Sequence, residues 1–216
     1  MGRASFKTLA SQSLEHRFSA YEIGNVGALA LLENWGLSVA DLSSDFMLYG
    51  MNRAAVKFWQ GQGIKAMCLS IEDDWEDTSA LLRHWPQAGG QQVISPVAIL
   101  YKDTPLFVAE SCTLTALHNG CPTGKVCGYR SLEIENSKSE RFTVAHEGCK
   151  SIVYGAKAYS ISGERKRLQQ AGVSRFRLDF LTRPYSEADF KRIVQTVMAN
   201  VMIPETHSAN FNGRLK

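Results

Sequence analysis

Short apolar runs alternate with helix-spaced apolar positions along most of the chain, the rhythm of βα units. Phe18 to Ile23 alternates like a strand, and Val26 to Trp35 carries Ala, Leu and Glu at helical spacing. A second unit follows, with a strand within Val39 to Tyr49 and a helix from about Asn52 to Gln60, for which Asn52 is the expected N-cap. Ile64 to Ile71 makes a third, very apolar strand. The next helix opens in Glu72, Asp73, Asp74, Glu76 and Asp77, and acidic residues there complement the positive end of the helix dipole. Val93 to Leu100 is a fourth strand, which Leu106 to Ala109 continues after a Lys102 to Pro105 turn.

The rhythm then breaks. From about Glu110 to Cys149 there is no long helical pattern, only strand-like pieces around Tyr129 to Ile134 and Arg141 to Val144. This stretch reads as an inserted loop and hairpin. Afterwards the βα pattern resumes, with strands at Ser151 to Tyr154 and Ser174 to Phe180. Helices are expected at Gly163 to Ala171, ended by Gly172, and at Ser186 to Ala199, with Ser186 as N-cap. The tail from Ile203 is polar and is expected to be loosely held. Helix-length crossovers between strands predict an α/β fold with a parallel sheet. Five or six βα steps fall short of the eight of a closed barrel, so the expectation is a partial TIM-like (β/α) barrel with a cysteine-bearing loop and hairpin insertion. The whole chain, 1–216, is read as one domain.

Composition narrows the class of protein. Hydrophobic residues at 44% and charged residues at 21% suit a folded globular chain rather than a disordered one. No apolar stretch approaches the roughly 20 residues that a membrane span needs. Met1 to Gln12 lacks an apolar signal region, which makes the cytoplasm the expected compartment. With 24 basic against 21 acidic residues, net charge alone does not point to nucleic acid.

Five cysteines, an odd number with no export signal, argue against a disulfide framework. Cys112, Cys121, Cys127 and Cys149 are separated by eight, five and twenty-one residues. Four thiolates suffice for an iron–sulfur cluster or a structural zinc, but no Cys-x-x-Cys knuckle selects either over ordinary buried thiols. A cysteine nucleophile with His118 or His146 as base is a third reading. Cys68, in the middle of an apolar strand, is a core residue. His16, His84 and His207 read as surface residues, and the five histidines show no metal-ligand spacing.

Several strings occur in a telling order: Glu22-Ile23-Gly24-Asn25, Tyr49-Gly50-Met51-Asn52, Leu69-Ser70-Ile71-Glu72, the cysteine region Glu110 to Gly128, and Gly172-Val173-Ser174-Arg175-Phe176-Arg177-Leu178-Asp179. In this order they resemble the collagenase-like peptidase family, peptidase family U thirty-two. The resemblance runs from about Phe18 to Met198 and matches the later part of that family's catalytic module, without its usual N-terminal portion. It implies a hydrolase label. In several subgroups it implies instead a four-iron four-sulfur cluster supporting oxygen-independent hydroxylation of RNA bases or of a quinone precursor. Cys112, Cys121, Cys127 and Cys149 look like the cluster ligands of those subgroups, although the Cys121 to Cys127 interval is shorter.

Functional groups in parallel α/β folds collect where strands end. Asn25, Glu72, Arg177 and Asp179 fit that placement and are the candidate catalytic residues. Capping explains the first two equally well, and an ion pair the last two. Between Lys150 and Arg177 seven basic residues face one acid, Glu164, which makes RNA a candidate partner beside a small-molecule substrate. An incomplete barrel would also leave open sheet edges, so a companion chain completing it is a further expected partner. The alternatives to an iron–sulfur enzyme are a peptidase acting on peptide substrates and a truncated, non-catalytic module.

Overall fold

The computed structural model describes residues 20–34, 42–85, 94–122, 131–147 and 149–213. The parallel part begins with β1 (Tyr21–Ile23), α1 (Val26–Asn34), β2 (Leu42–Ser44), α2 (Arg53–Gly61), β3 (Ala66–Cys68), α3 (Trp75–Arg83) and β4 (Ser95–Lys102). It resumes after the antiparallel strands with β9 (Tyr159–Ser160), α5 (Arg165–Gln170), β10 (Arg175–Leu178) and α6 (Glu187–Met198). Local chemistry sets the helix starts. Asn52 accepts from Ala55 N–H, Asp74 from Asp77 N–H, and Ser186 with Asp189 forms a capping box. Gly172, at φ +107°, ends α5 in a backbone conformation that a side chain would strain.

Strands β1, β2, β3, β4 and β10 lie in that order, each parallel to its neighbour, and β9 pairs antiparallel to β4. Directly paired residues share a face. Glu22 stands opposite Ser43, Cys68 opposite Val97, and Arg177 opposite Ile99, so these residues line one face. Ile23, Met67, Ala98 and Leu100 alternate to the other, and together with Cys68 and Ile99 of the first face they belong to one core with Leu29, Val56, Trp59, Leu81, Leu168 and Ile193 from the helices.

β1 and β10 end the five-strand order, about 19 Å apart in a flat sheet. Yet Arg177 of β10 holds both carboxylate oxygens of Glu22 on β1, at 2.7 and 2.8 Å. Side chains stand roughly perpendicular to a sheet, so this contact requires the sheet to curl around the face that bears Arg177.

A second, antiparallel sheet has the order β5-β8-β7-β6: β5 (Pro105–Ala109), β6 (Leu132–Glu135), β7 (Arg141–Glu147) and β8 (Lys150–Gly155), with the short helix α4 (Thr113–Leu117) after β5. It revises two expectations. Leu106 to Ala109 does not continue the fourth strand; the chain reverses at Asp103 and Thr104 and β5 pairs with β8. The strand at Ser151 to Tyr154 likewise belongs to this sheet, not to the parallel one. The reversal is pinned by Asp103, which is buried and takes Arg183 Nε at 2.6 Å and Tyr185 OH at 2.9 Å. The same guanidinium donates to Gly155 O and Ala156 O at the end of β8, joining the two sheets.

The tail is docked rather than loose. Ile203 and Phe211 are buried, Trp75 N–H donates to Phe211 O, and Asn210 donates to Glu72 O. His207 is half-buried and bridges to Tyr159, so it is no simple surface residue. Two apolar side chains eight positions apart suffice to anchor a polar segment. Among the described residues no helix is long and apolar enough to cross a membrane.

Candidate functional site

At the carboxyl end of the parallel strands the curled face gathers charge. Glu22 comes from β1, Asp45 follows β2, Lys102 ends β4, Arg177 lies on β10 and Asp179 just beyond it. Arg177 Nη1 reaches Glu22 and, at 3.0 Å, Asp45 Oδ1, while its Nε donates to Asp179 Oδ1 at 2.6 Å. Lys102 Nζ donates to Asp179 Oδ2 at 2.8 Å and sits 5.5 Å from the centre of the Phe46 ring. Three carboxylates thus share two cations.

Burial and pairing compete at each group. Burial works against the Arg177 charge, but the hydrogen bond to Asp179 and the surrounding carboxylates raise its pKa well above the ordinary guanidinium range. Burial likewise opposes ionisation of Asp179, and hydrogen bonds from Arg177 and Lys102 overcome it, leaving the carboxyl below its usual value. At Glu22 burial wins: its pKa is raised, with Arg177 opposing and Asp45 reinforcing the shift. Cys68 lies against this cluster, and burial pushes its thiol up to about 12, which keeps it protonated as the core residue expected.

The cluster borders a cavity of about 630 Å³ between the two sheets. Asp45, Phe46, Met47, Lys102 and Leu181 line it from the parallel side, and Ala145, His146, Ile152 and Tyr154 from the antiparallel side. Asp45 is aimed by its own loop: its carboxylate accepts from Phe46 N–H and caps the 3-10 turn Phe46–Leu48.

Of the four residues singled out in the sequence, Arg177 and Asp179 meet here directly. Asn25 and Glu72 stand at the ends of β1 and β3 but are engaged elsewhere. Asn25 Oδ1 accepts from Gly27 N–H at 2.7 Å in the first turn of α1. Glu72 accepts from Tyr49 OH at 3.4 Å. Glu22, Asp45 and Lys102 were missed, although Asp45 and Lys102 stand at the end of a strand, the same placement that selected Asn25 and Glu72.

The cysteines occupy the other sheet. Cys112 opens α4 and Cys149, with a left-handed backbone at φ 66°, sits in the β7–β8 turn. Their flanking residues are bonded to each other. Lys150 Nζ donates to Glu110 Oε1 at 2.6 Å, and Thr113 N–H to Ser151 Oγ at 2.9 Å. Hydrogen bonding from the Thr115 backbone lowers the Cys112 pKa, favouring thiolate. Cys121 is exposed beyond α4, and Cys127 lies outside the described residues. Accessible thiols are the donors that iron–sulfur clusters and zinc take, so the donor chemistry fits. Among the described residues, which include Cys112, Cys121 and Cys149, no three metal-binding groups converge.

The basic stretch is largely spent within the fold. Arg177 is in the cluster, Lys150 pairs with Glu110, and Arg165 donates to the Val197 and Met198 carbonyls at the end of α6. Arg167 stacks 3.9 Å from the Trp75 ring centre. Comparison of the chain with protein-family models, curated proteins and solved structures gave no match.

Proposed function

We propose that the chain is a partial TIM-like (β/α) barrel module of the collagenase-like peptidase family, holding a four-iron four-sulfur cluster on Cys112, Cys121, Cys127 and Cys149. It serves oxygen-independent hydroxylation of RNA bases or of a quinone precursor, as an enzyme or enzyme subunit. The observation that carries this reading is the linkage of the segments around Cys112 and Cys149, which places two accessible thiols on neighbouring strand ends. When bound, such a cluster supplies one-electron transfer. The chain's own residues supply the rest: a curled sheet, a cavity at its carboxyl end, and the Arg177 cluster that holds Asp45 and Lys102 at the cavity wall. Curling over five sequentially ordered parallel strands supports the partial barrel.

The test is anaerobic purification with iron and acid-labile sulfide analysis of the wild type and of Cys112→Ala, Cys127→Ala and Cys149→Ala. About four irons per chain, lost in each variant, is the expected result. A folded, iron-free wild type after reconstitution overturns the cluster. Gelatin turnover that persists in Cys112→Ala would assign the peptidase activity of the family label instead.

A companion chain is a second reading, favoured by β5. This edge strand leaves Leu106, Phe107 and Val108 exposed. Light scattering that shows only monomer, with a cooperative melt, would refute it.

A further inference from the structure

We infer that the cavity between the two sheets binds a small organic monocation, a primary ammonium on an apolar body, whose charge rests on Asp45. The site goes beyond the cluster reading and does not depend on it, because no cysteine is among the cavity's lining residues.

Charge is the first ground. Among the described residues the ion cluster sets Glu22, Asp45 and Asp179 against Arg177 and Lys102, which leaves one negative charge uncompensated. Three charged residues line the cavity, Asp45, Lys102 and Asp103, and of these Asp45 presents that charge. Asp103 is balanced by Arg183 and has both oxygens engaged, Oδ1 by Arg183 and Oδ2 by Tyr185. Lys102 donates to Asp179 and makes no bond to Asp45. Asp45 meets both Arg177 and Phe46 N–H through Oδ1, so its Oδ2 accepts from no described residue. Glu22 and Asp179, by contrast, have both oxygens taken. The excess is felt at Glu22, where burial, reinforced by Asp45 and Asp179, raises the pKa against the pull of Arg177.

Unused hydroxyls are the second ground. Tyr154 and Thr182 line the same cavity, and neither hydroxyl bonds to a described residue. An ammonium carries three donors and no acceptor, so a carboxylate oxygen and neutral hydroxyl oxygens are the partners it takes. Asp45 is also held in place, since Arg177 and Phe46 N–H both fix its Oδ1, and a pinned carboxylate is pre-organised for a cation arriving from the cavity. The other walls are mostly apolar, with Phe46, Met47, Pro105, Ile152 and Leu181. Apolar walls with a few polar groups and a volume of about 630 Å³ describe a small-molecule site. A second positive charge on the ligand would find no further carboxylate oxygen to spare and would face Lys102. An anion would add to the negative excess, and a neutral molecule would leave it unbalanced.

The experiment is calorimetric titration of the purified full chain at pH about 7.5, where alkylamines, like lysine, are protonated. The probes are 3-methylbutylamine and 2-phenylethylamine, each beside the alcohol that carries a hydroxyl in place of the amine, and 3-phenylpropanoate as the anion. Iron content is read separately. The wild type is expected to bind an amine at least about tenfold more tightly than the matching alcohol, as one charge-assisted hydrogen bond gives, and more tightly than the anion. Asp45→Asn, which keeps the Oδ1 acceptor and removes the charge, should lose that preference. Ile152→Trp, which fills the cavity from the antiparallel sheet, should lose amine binding while keeping a cooperative melt. Equal affinity for amine and alcohol overturns the proposal, as does tighter binding of the anion, a preference for amine that survives in Asp45→Asn, or amine binding undiminished in Ile152→Trp. Amine binding absent from the wild type up to about 10 mM, weaker than the millimolar end of the affinity scale, overturns it too. Since amine, alcohol and anion are compared in the wild type, failure of Asp45→Asn to fold leaves the test intact.

Discussion

Replacing Arg177 by Met removes a guanidinium that touches Glu22, Asp45 and Asp179 together. The magnitude follows from burial. The Asp179 pair is the most enclosed, at 19% and 9% side-chain exposure, and breaking a buried pair costs about 3–5 kcal/mol because the partner is left charged and unmatched. The Glu22 contact is more exposed, at 40% for the carboxylate, and adds no more than about 1 kcal/mol. Lys102 still neutralises part of the Asp179 charge, so the lower end of the range applies, and we expect a loss of about 3–4 kcal/mol. For a chain of 216 residues that is a fall in Tm of about 6–16 °C.

Differential scanning calorimetry of wild type, Arg177→Met, Asp179→Asn and the double variant gives the coupling directly. The double variant should be more stable than the sum of the single losses by about 1.5–3 kcal/mol. A Tm change under about 3 °C, or strict additivity, would show that water screens the cluster and that it does not hold the curl between β1 and β10.

Three further outcomes are expected. Burial, with Asp77, Asp74 and Glu72 adding repulsion, raises the Asp73 carboxyl from the ordinary aspartate range to about 6. The folded state therefore binds that proton more tightly, and stability falls as pH rises from about 4 to about 6. Asp73→Asn should stabilise by about 1–2 kcal/mol at pH about 7.5 and by little at pH about 4; equal effects at both would refute the assignment. Arg165→Ala removes a cation from two carbonyls at the end of α6 and should cost about 1 kcal/mol, with faster hydrogen exchange in the last turn of that helix. Phe211→Ala opens a void beside Trp75 and should cost about 3–4 kcal/mol and change the near-ultraviolet circular dichroism; a loss under about 1 kcal/mol would mean the tail is not part of the core.

What the amino-acid sequence determined by itself was the set of features decided within a few residues. Asn52 and Ser186 cap their helices because a side-chain oxygen three residues upstream meets an unpaired N–H, whatever else the chain does. Strand and helix periods from Ile64 to Leu100 are local in the same sense, and so is the buried Cys68. Tertiary structure alone decided which strands pair. A run such as Ser151 to Tyr154 suits either sheet, and its place beside β5 and β7 was settled by the Asp103 and Arg183 junction, whose halves are 80 residues apart. The charge cluster is the extreme case. Arg177 and Asp179 stood out as two residues on one strand, but Glu22 is 155 residues and Asp45 132 residues distant from Arg177. Only the curl of the sheet turns charges at separate strand ends into neighbours, because register fixes the face and curvature the distance.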